Sequence, residues 1–387
     1  MSKRNAISIQ HRQLRKMPER TGFDLSEQAA PSQIRGRGAR SNASGRYEDD
    51  RRMWVDDGWG GPAEWMEDDA PKMRTEEIVD TSRTVIARNE SPDLHFDRSV
   101  NPYRGCEHGC IYCFARPTHA YLGYSPGLDF ETRILWKPQV AELLEKELRA
   151  KSYKCRTLAM GTNTDPYQPV ERHRKLARSV LEVLERFNHP VGVVTKSDLI
   201  LRDRDILGRM AEKGLVKVAI SLTTLDSQLC RVMEPRASAP GRRLAALRGL
   251  RDAGVPVSVL TAPIIPALNE AEIEDLLAAA HDAGAAEAGY ILLRLPLEIK
   301  DLFHEWLQTE VPDRAKKVMK LLHEMRGGRA YDSTYGKRMV GEGPHARLIG
   351  ERFKKACTRL GLNEIRAALD TSQFQVPLAN GAQMSLF

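Results

Sequence analysis

The sequence predicts an α/β protein whose body is a partial, TIM-like (β/α)6 barrel, with a helical C-terminal extension and a disordered N-terminal arm. Three observations lead there. Short runs rich in Val, Ile and Leu alternate with longer amphipathic runs between about residues 94 and 295. The repeat is near-constant at roughly 30 residues, and right-handed crossovers between parallel strands curve such a sheet with its helices outside. Six units are too few to close an eight-stranded barrel, so an open barrel with a broad cleft is expected, and a doubly wound sheet is the alternative that fits the same alternation.

The arm, residues 1–75, comes first. Residues 1–46 carry 10 Lys and Arg against 3 Asp and Glu, which accounts for the whole +7 net charge of the 387-residue chain. The rest is balanced, so an electrostatic footprint for a polyanion is concentrated in the arm. "SQIRGRGARSNASGRYEDD" is rich in Gly, Ser and Arg, and an acidic stretch with Trp54, Trp59 and Trp65 follows. Arg-Gly contacts to phosphates with stacked bases are one reading, and a mobile tail whose tryptophans dock on the body is the other.

The barrel is expected over residues 90–296. Its strands are "LHFDRSV" at 94–100, "TLAMG" at 157–161, "VGVVT" at 191–195, "VKVAISL" at 216–222, "VPVSVL" at 255–260 and "AGYILLRL" at 288–295. β-branched runs buried on both faces mark parallel strands. Helices are expected over 138–149, 171–187, about 201–212, about 240–253 and 269–283. Beyond Pro296 the strands stop, and residues 297–387 read as three helices with a glycine-rich loop at 327–346, a region placed to cover the barrel.

Composition excludes several classes. No run of 18 apolar residues exists and "MSKRNAISIQHRQLRK" has no apolar signal stretch, so no membrane role and a cytoplasmic location are expected. Six cysteines are too few for a disulfide scaffold in so long a chain. Cys155, Cys230 and Cys357 stand alone and read as small buried hydrophobes.

The other three sit together in "NPYRGCEHGCIYCFARPTH", as Cys106, Cys110 and Cys113. Three thiolates in one short loop select zinc or iron-sulfur. A structural zinc site wants four protein ligands, and no second cysteine pair exists. His108 and His119 are the residues that could complete one. On a cubane of four irons, three cysteines leave one iron open to another ligand.

C-x3-C-x2-C with Tyr112 before the third cysteine resembles the signature of the radical S-adenosylmethionine (SAM) superfamily. "GTNTDPYQPVE", "VVTKSDLILRD", "VAISLTTLD" and "RGRGARSN" are similar to its spore photoproduct lyase-like branch. The resemblance spans about residues 33–360. It implies a 4Fe-4S cluster on Cys106, Cys110 and Cys113, and S-adenosyl-L-methionine cleaved reductively to a 5′-deoxyadenosyl radical that abstracts hydrogen. It implies further that Tyr112, Thr164, Lys196 and Ser221 contact S-adenosylmethionine, with Lys196 pairing with its carboxylate. A flavodoxin or ferredoxin as electron donor and a nucleic acid among the candidate substrates follow in the same way. In the lyases a cysteine on the second-strand loop returns a hydrogen atom to the product, and here Asn163 stands there. The other class of function is a nucleic-acid-binding protein stabilised by zinc or by an inert cluster. The substrate, the hydrogen donor and the oligomeric state are not legible in the sequence.

Overall fold

The computed structural model describes residues 36–48 and 73–378. The remainder of the expected arm, with its three tryptophans, lies outside the described residues. Two short strands open the body, β1 (Glu76–Val79) and β2 (Ile86–Arg88), followed by β3 (Arg98–Val100) and β4 (Tyr103–Arg104). A one-turn helix α1 (Asp129–Thr132) leads into β5 (Arg133–Trp136), which pairs with β1 and β4 in a small separate sheet.

The regular alternation follows. Helix α2 (Val140–Leu148) precedes β6 (Leu158–Met160); α3 (Glu171–Arg174) and α4 (Leu176–Arg186) precede β7 (Val191–Thr195); α5 (Arg204–Glu212) precedes β8 (Val216–Ser221). Then come α6 (Ser227–Met233), α7 (Pro240–Asp252), β9 (Val257–Ile264), α8 (Ile273–Asp282) and β10 (Glu287–Leu292). The main sheet runs β10-β9-β8-β7-β6-β3-β2. The six strands from β3 to β10 are all parallel, and β2 is antiparallel to β3. Each new strand adds to the same side of its predecessor. A doubly wound sheet needs a reversal of order at a switch point, and there is none here.

The helices bury one face each, as α4 does with Leu176, Ala177, Val180, Leu181 and Leu184. The single helix expected over 171–187 is broken at Lys175, whose φ of 54° is left-handed. The break lets the Glu171 carboxylate accept the Leu176 N–H at 2.8 Å, the Tyr103 hydroxyl and Arg202.

Beyond β10, α9 (Ile299–Glu310) and α10 (Pro312–Glu324) build a second apolar core with Ile111, Tyr112, Leu128 and Leu293. Helix α11 (Gly343–Leu360) lies beside α8, held by Arg352 to Glu274 and His345 to Glu270. The loop between α10 and α11 joins the two edges of the open sheet. Met339 O accepts from Leu292 N–H on β10 at 2.8 Å, while Gly336 N–H and Arg338 hold Asp93, between β2 and β3. Among the described residues no helix is long and apolar enough to cross a membrane.

Candidate active site

The three cysteines lie on the loop after β4, at the C-terminal end of the parallel sheet, where α/β barrels place their chemistry. The loop is held from every side. Ile111 N–H donates to Met233 O at 3.0 Å, Cys106 N–H to Phe130 O at 2.9 Å and Glu107 N–H to Gln168 at 2.8 Å. Beneath it Arg116, fully buried, donates to the carbonyls of Gly109, Cys110, Pro126 and Gly127 and to the Glu131 carboxylate.

Glu131 connects this loop to the arm. Its two oxygens also accept the N–H groups of Gly38 and Ala39, at 2.9 and 2.8 Å, while Arg37 donates to its carbonyl. Ser41 O accepts Leu128 N–H, and Asn42 exchanges two hydrogen bonds with Asp129. The expectation of a disordered arm is thus corrected for residues 36–48, a buried strap across the cysteine loop. The physical reason is close approach: a Cβ on Gly38 would collide with the Gly109 carbonyl. The glycine that reads as flexible is needed for contact.

Cys106 and Cys110 are 7% exposed and Cys113 is half-buried. Burial pushes all three thiols above their ordinary range, so they stay protonated at neutral pH until a metal displaces the proton. Neither histidine is placed as the zinc reading needs. His108 Nδ1 lies 3.3 Å from Asp165, and His119 Nε2 is taken by Arg133 O at 3.0 Å. Among the described residues no three His, Cys, Asp or Glu side chains converge on a single ion. A cubane, which holds its thiolates at separate corners, suits this set better.

The other expected site residues gather at the strand ends facing the loop. Lys196, just past β7, donates to the Ser221 hydroxyl at the end of β8 at 2.5 Å, and its ammonium is 5.8 Å from the Tyr112 ring centre. Burial lowers the Lys196 pKa. Thr164, buried, donates to Tyr103 O at 3.2 Å. Asn163 is half-buried, with its N–H 3.4 Å from the Asn101 side chain.

Four charged residues hold this arrangement, and of these only Asp165, at the rim after the second barrel strand, stands out in the sequence. Asp165 accepts from Thr195 and from Lys196 N–H, besides meeting His108. Burial pushes its pKa up, but His108 and these donors outweigh that and hold it below the ordinary value. Glu234, almost fully buried, accepts from Tyr112 and Thr223 and is paired with Arg243. Arg243 also donates to Ser221 O at 3.0 Å. Glu131 is the fourth. The other three are ordinary charged residues in sequence, and a hydrophobic context around "VMEPR" is no signal of burial. Cys155 precedes β6 and so lies at the opposite end of the barrel, while Cys230 is buried against Glu234 and Arg243.

Residues 100–280 match the family model described as the radical SAM superfamily. An uncharacterized protein of Mycobacterium tuberculosis (strain ATCC 25618 / H37Rv) is 37% identical over 240 residues, 61% of this chain and 71% of the relative. An uncharacterized protein of Methanocaldococcus jannaschii is 28% identical over 174 residues, 45% of this chain and 62% of the relative. Among solved structures, spore photoproduct lyase complexed with dinucleoside spore photoproduct superposes with a TM-score of 0.54 at 16% identity, over 74% of this chain and 80% of the lyase. At that identity the likeness is one of fold.

Proposed function

The chain belongs to the radical SAM superfamily, and from that premise we propose that it holds a 4Fe-4S cluster on Cys106, Cys110 and Cys113 and cleaves S-adenosylmethionine to start hydrogen abstraction from a substrate. A cluster held by these cysteines would supply the single electron that reductive cleavage of the S-adenosylmethionine sulfonium requires. The carrying observation is that three cysteines on one loop, two buried and one half-buried, face Lys196 and Ser221 across Tyr112.

The chain's own residues then bind and orient. Lys196 offers a buried ammonium to the methionine carboxylate, and Ser221 and Thr164 offer hydroxyls. Tyr112 presents its ring while Glu234 fixes its hydroxyl, so the cysteine loop and the β8 end keep one relative position. The second apolar core, with α9 and α10, backs the cysteine loop at Ile111 and Tyr112. Asn163 cannot return a hydrogen atom as a thiol does, so the spore photoproduct reaction in this chain would need its hydrogen donor elsewhere, with Cys155, Cys230, Tyr167 and the C-terminal loop as the candidates. An electron donor such as flavodoxin or ferredoxin completes the requirement.

The test is anaerobic reconstitution, followed by dithionite and S-adenosylmethionine. The wild-type chain is expected to bind about four irons and release 5′-deoxyadenosine, and Cys110→Ala to lose most iron and all product. A colourless zinc-loaded protein, or full iron in Cys110→Ala, sinks the reading.

A further inference from the structure

Arg294 lies two residues beyond β10, at the same end of the sheet as Lys196 and Ser221. Its guanidinium carbon is 4.6 Å from the ring centre of Phe114, the residue after Cys113, and Phe114 is 47% exposed. Among the described residues it has no hydrogen-bond or ion-pair partner. Burial nevertheless lowers its pKa, with Arg338 adding to the effect and Tyr331, Asp93 and Cys113 acting the other way without cancelling it.

Its surroundings carry more positive charge. Arg326 is buried and donates to the carbonyls of Leu292, Leu293, Lys337 and Arg338, all neutral acceptors, and its Nε has no partner. Arg338 is paired with Asp93, and Asp332 reaches Arg326 only from the solvent-exposed loop. Among the described residues neither guanidinium is hydrogen-bonded to a carboxylate, and Asp93 and Asp332 act on them only at longer range. Arg294 is half-buried, and a charge partly withdrawn from water with no bonded counter-charge is expected where a ligand brings one.

We propose that Arg294 anchors the substrate of the radical reaction by gripping a phosphate ester on it, with Arg326 supplying the second positive charge. The proposal rests on the radical SAM reading for what happens next, though not for the binding itself. The planar fork of Arg matches phosphate oxygens bidentately, and the Phe114 face keeps the fork oriented. Two neighbouring positive charges without a bonded carboxylate favour a phosphate over a single carboxylate. The phosphate could belong to a free nucleotide or to a polynucleotide backbone, and the chemistry at Arg294 is shared.

The experiment is calorimetric titration of the anaerobically reconstituted full chain at fixed ionic strength, with inorganic phosphate, acetate, a mononucleotide and a single-stranded oligonucleotide as probes. Phosphate is expected to bind wild type, Arg294→Gln to weaken it at least about tenfold and Arg294→Lys by less, as for loss of a hydrogen-bonded charge. The exposed Arg347→Gln serves as the charge control and should bind phosphate and release 5′-deoxyadenosine as wild type does. Tighter oligonucleotide than mononucleotide binding identifies a backbone, and equal binding identifies a small ester. Acetate binding as tightly as phosphate, an unchanged affinity in Arg294→Gln, or no binding by wild type overturns the proposal. Arg294-dependent binding in a chain that forms no 5′-deoxyadenosine removes the radical reading alone; product without Arg294-dependent binding removes the anion site alone.

Discussion

Two arginines stand near the cysteine loop, each over a phenylalanine ring, Arg116 at 5.2 Å from Phe130 and Arg294 at 4.6 Å from Phe114. Arg116 spends its donors on four carbonyls and the Glu131 carboxylate; Arg294 has none of these. The side that holds the cysteines is saturated with hydrogen bonds among the chain's own atoms. On the other side, Arg294 is left without a hydrogen-bonded counter-charge among the described residues. One arginine builds the site, and the other is available to what enters it.

Removing the two arginines separates these roles most sharply. Arg116→Leu should lower the stability of the reconstituted protein by about 3 to 5 kcal/mol, because a buried carboxylate loses its cation. A urea midpoint unchanged within error would show the pair to be dispensable. The same cradle should also be acid-sensitive through His119, which burial drives down to about 4 from an ordinary 6.5. Between those values the unfolded chain binds the proton and the folded chain does not, so stability falls as pH drops from about 6.5 to 4, by on the order of 3 kcal/mol. In His119→Gln that slope should flatten, and an equal slope in both proteins counts against His119 as its source.

Smaller effects probe the strap and Arg294. Gly38→Val should cost about 1 to 3 kcal/mol by forcing the strap off Gly109, and iron should leave faster when a chelator is added to the reconstituted protein. Unchanged iron loss would mean that the strap only covers the loop. Arg294→Leu should be the mildest, neutral or stabilising by up to about 1 kcal/mol in the ligand-free enzyme, since it deletes an unpaired charge. A loss comparable to that of Arg116→Leu would erase the contrast.

The barrel strands were legible because Val, Ile and Leu runs such as "VGVVT" mark buried parallel strands wherever they pack. Strands β1, β2, β4 and β5 were not, since pieces of two to four residues outside the repeating strand–helix alternation lack the context that marked the equally short β3 and β6. The cysteine loop was legible because thiol chemistry restricts its ligands, and Lys196 and Ser221 because they end strands. The strap misled for a physical reason: Gly, Ala and Ser serve equally for a mobile chain and for close backbone packing.

By itself, the sequence determined the six parallel strands, the C-x3-C-x2-C loop and the strand-end positions of Lys196 and Ser221, all properties of local pattern. Tertiary structure alone decided that Glu131 closes on Gly38, that Glu234 joins Tyr112 to Arg243, and that Arg116 is neutralised while Arg294 is not. The reason is that the role of a charged side chain depends on which partners reach it and how much water is excluded, and both are set by residues far away in the chain.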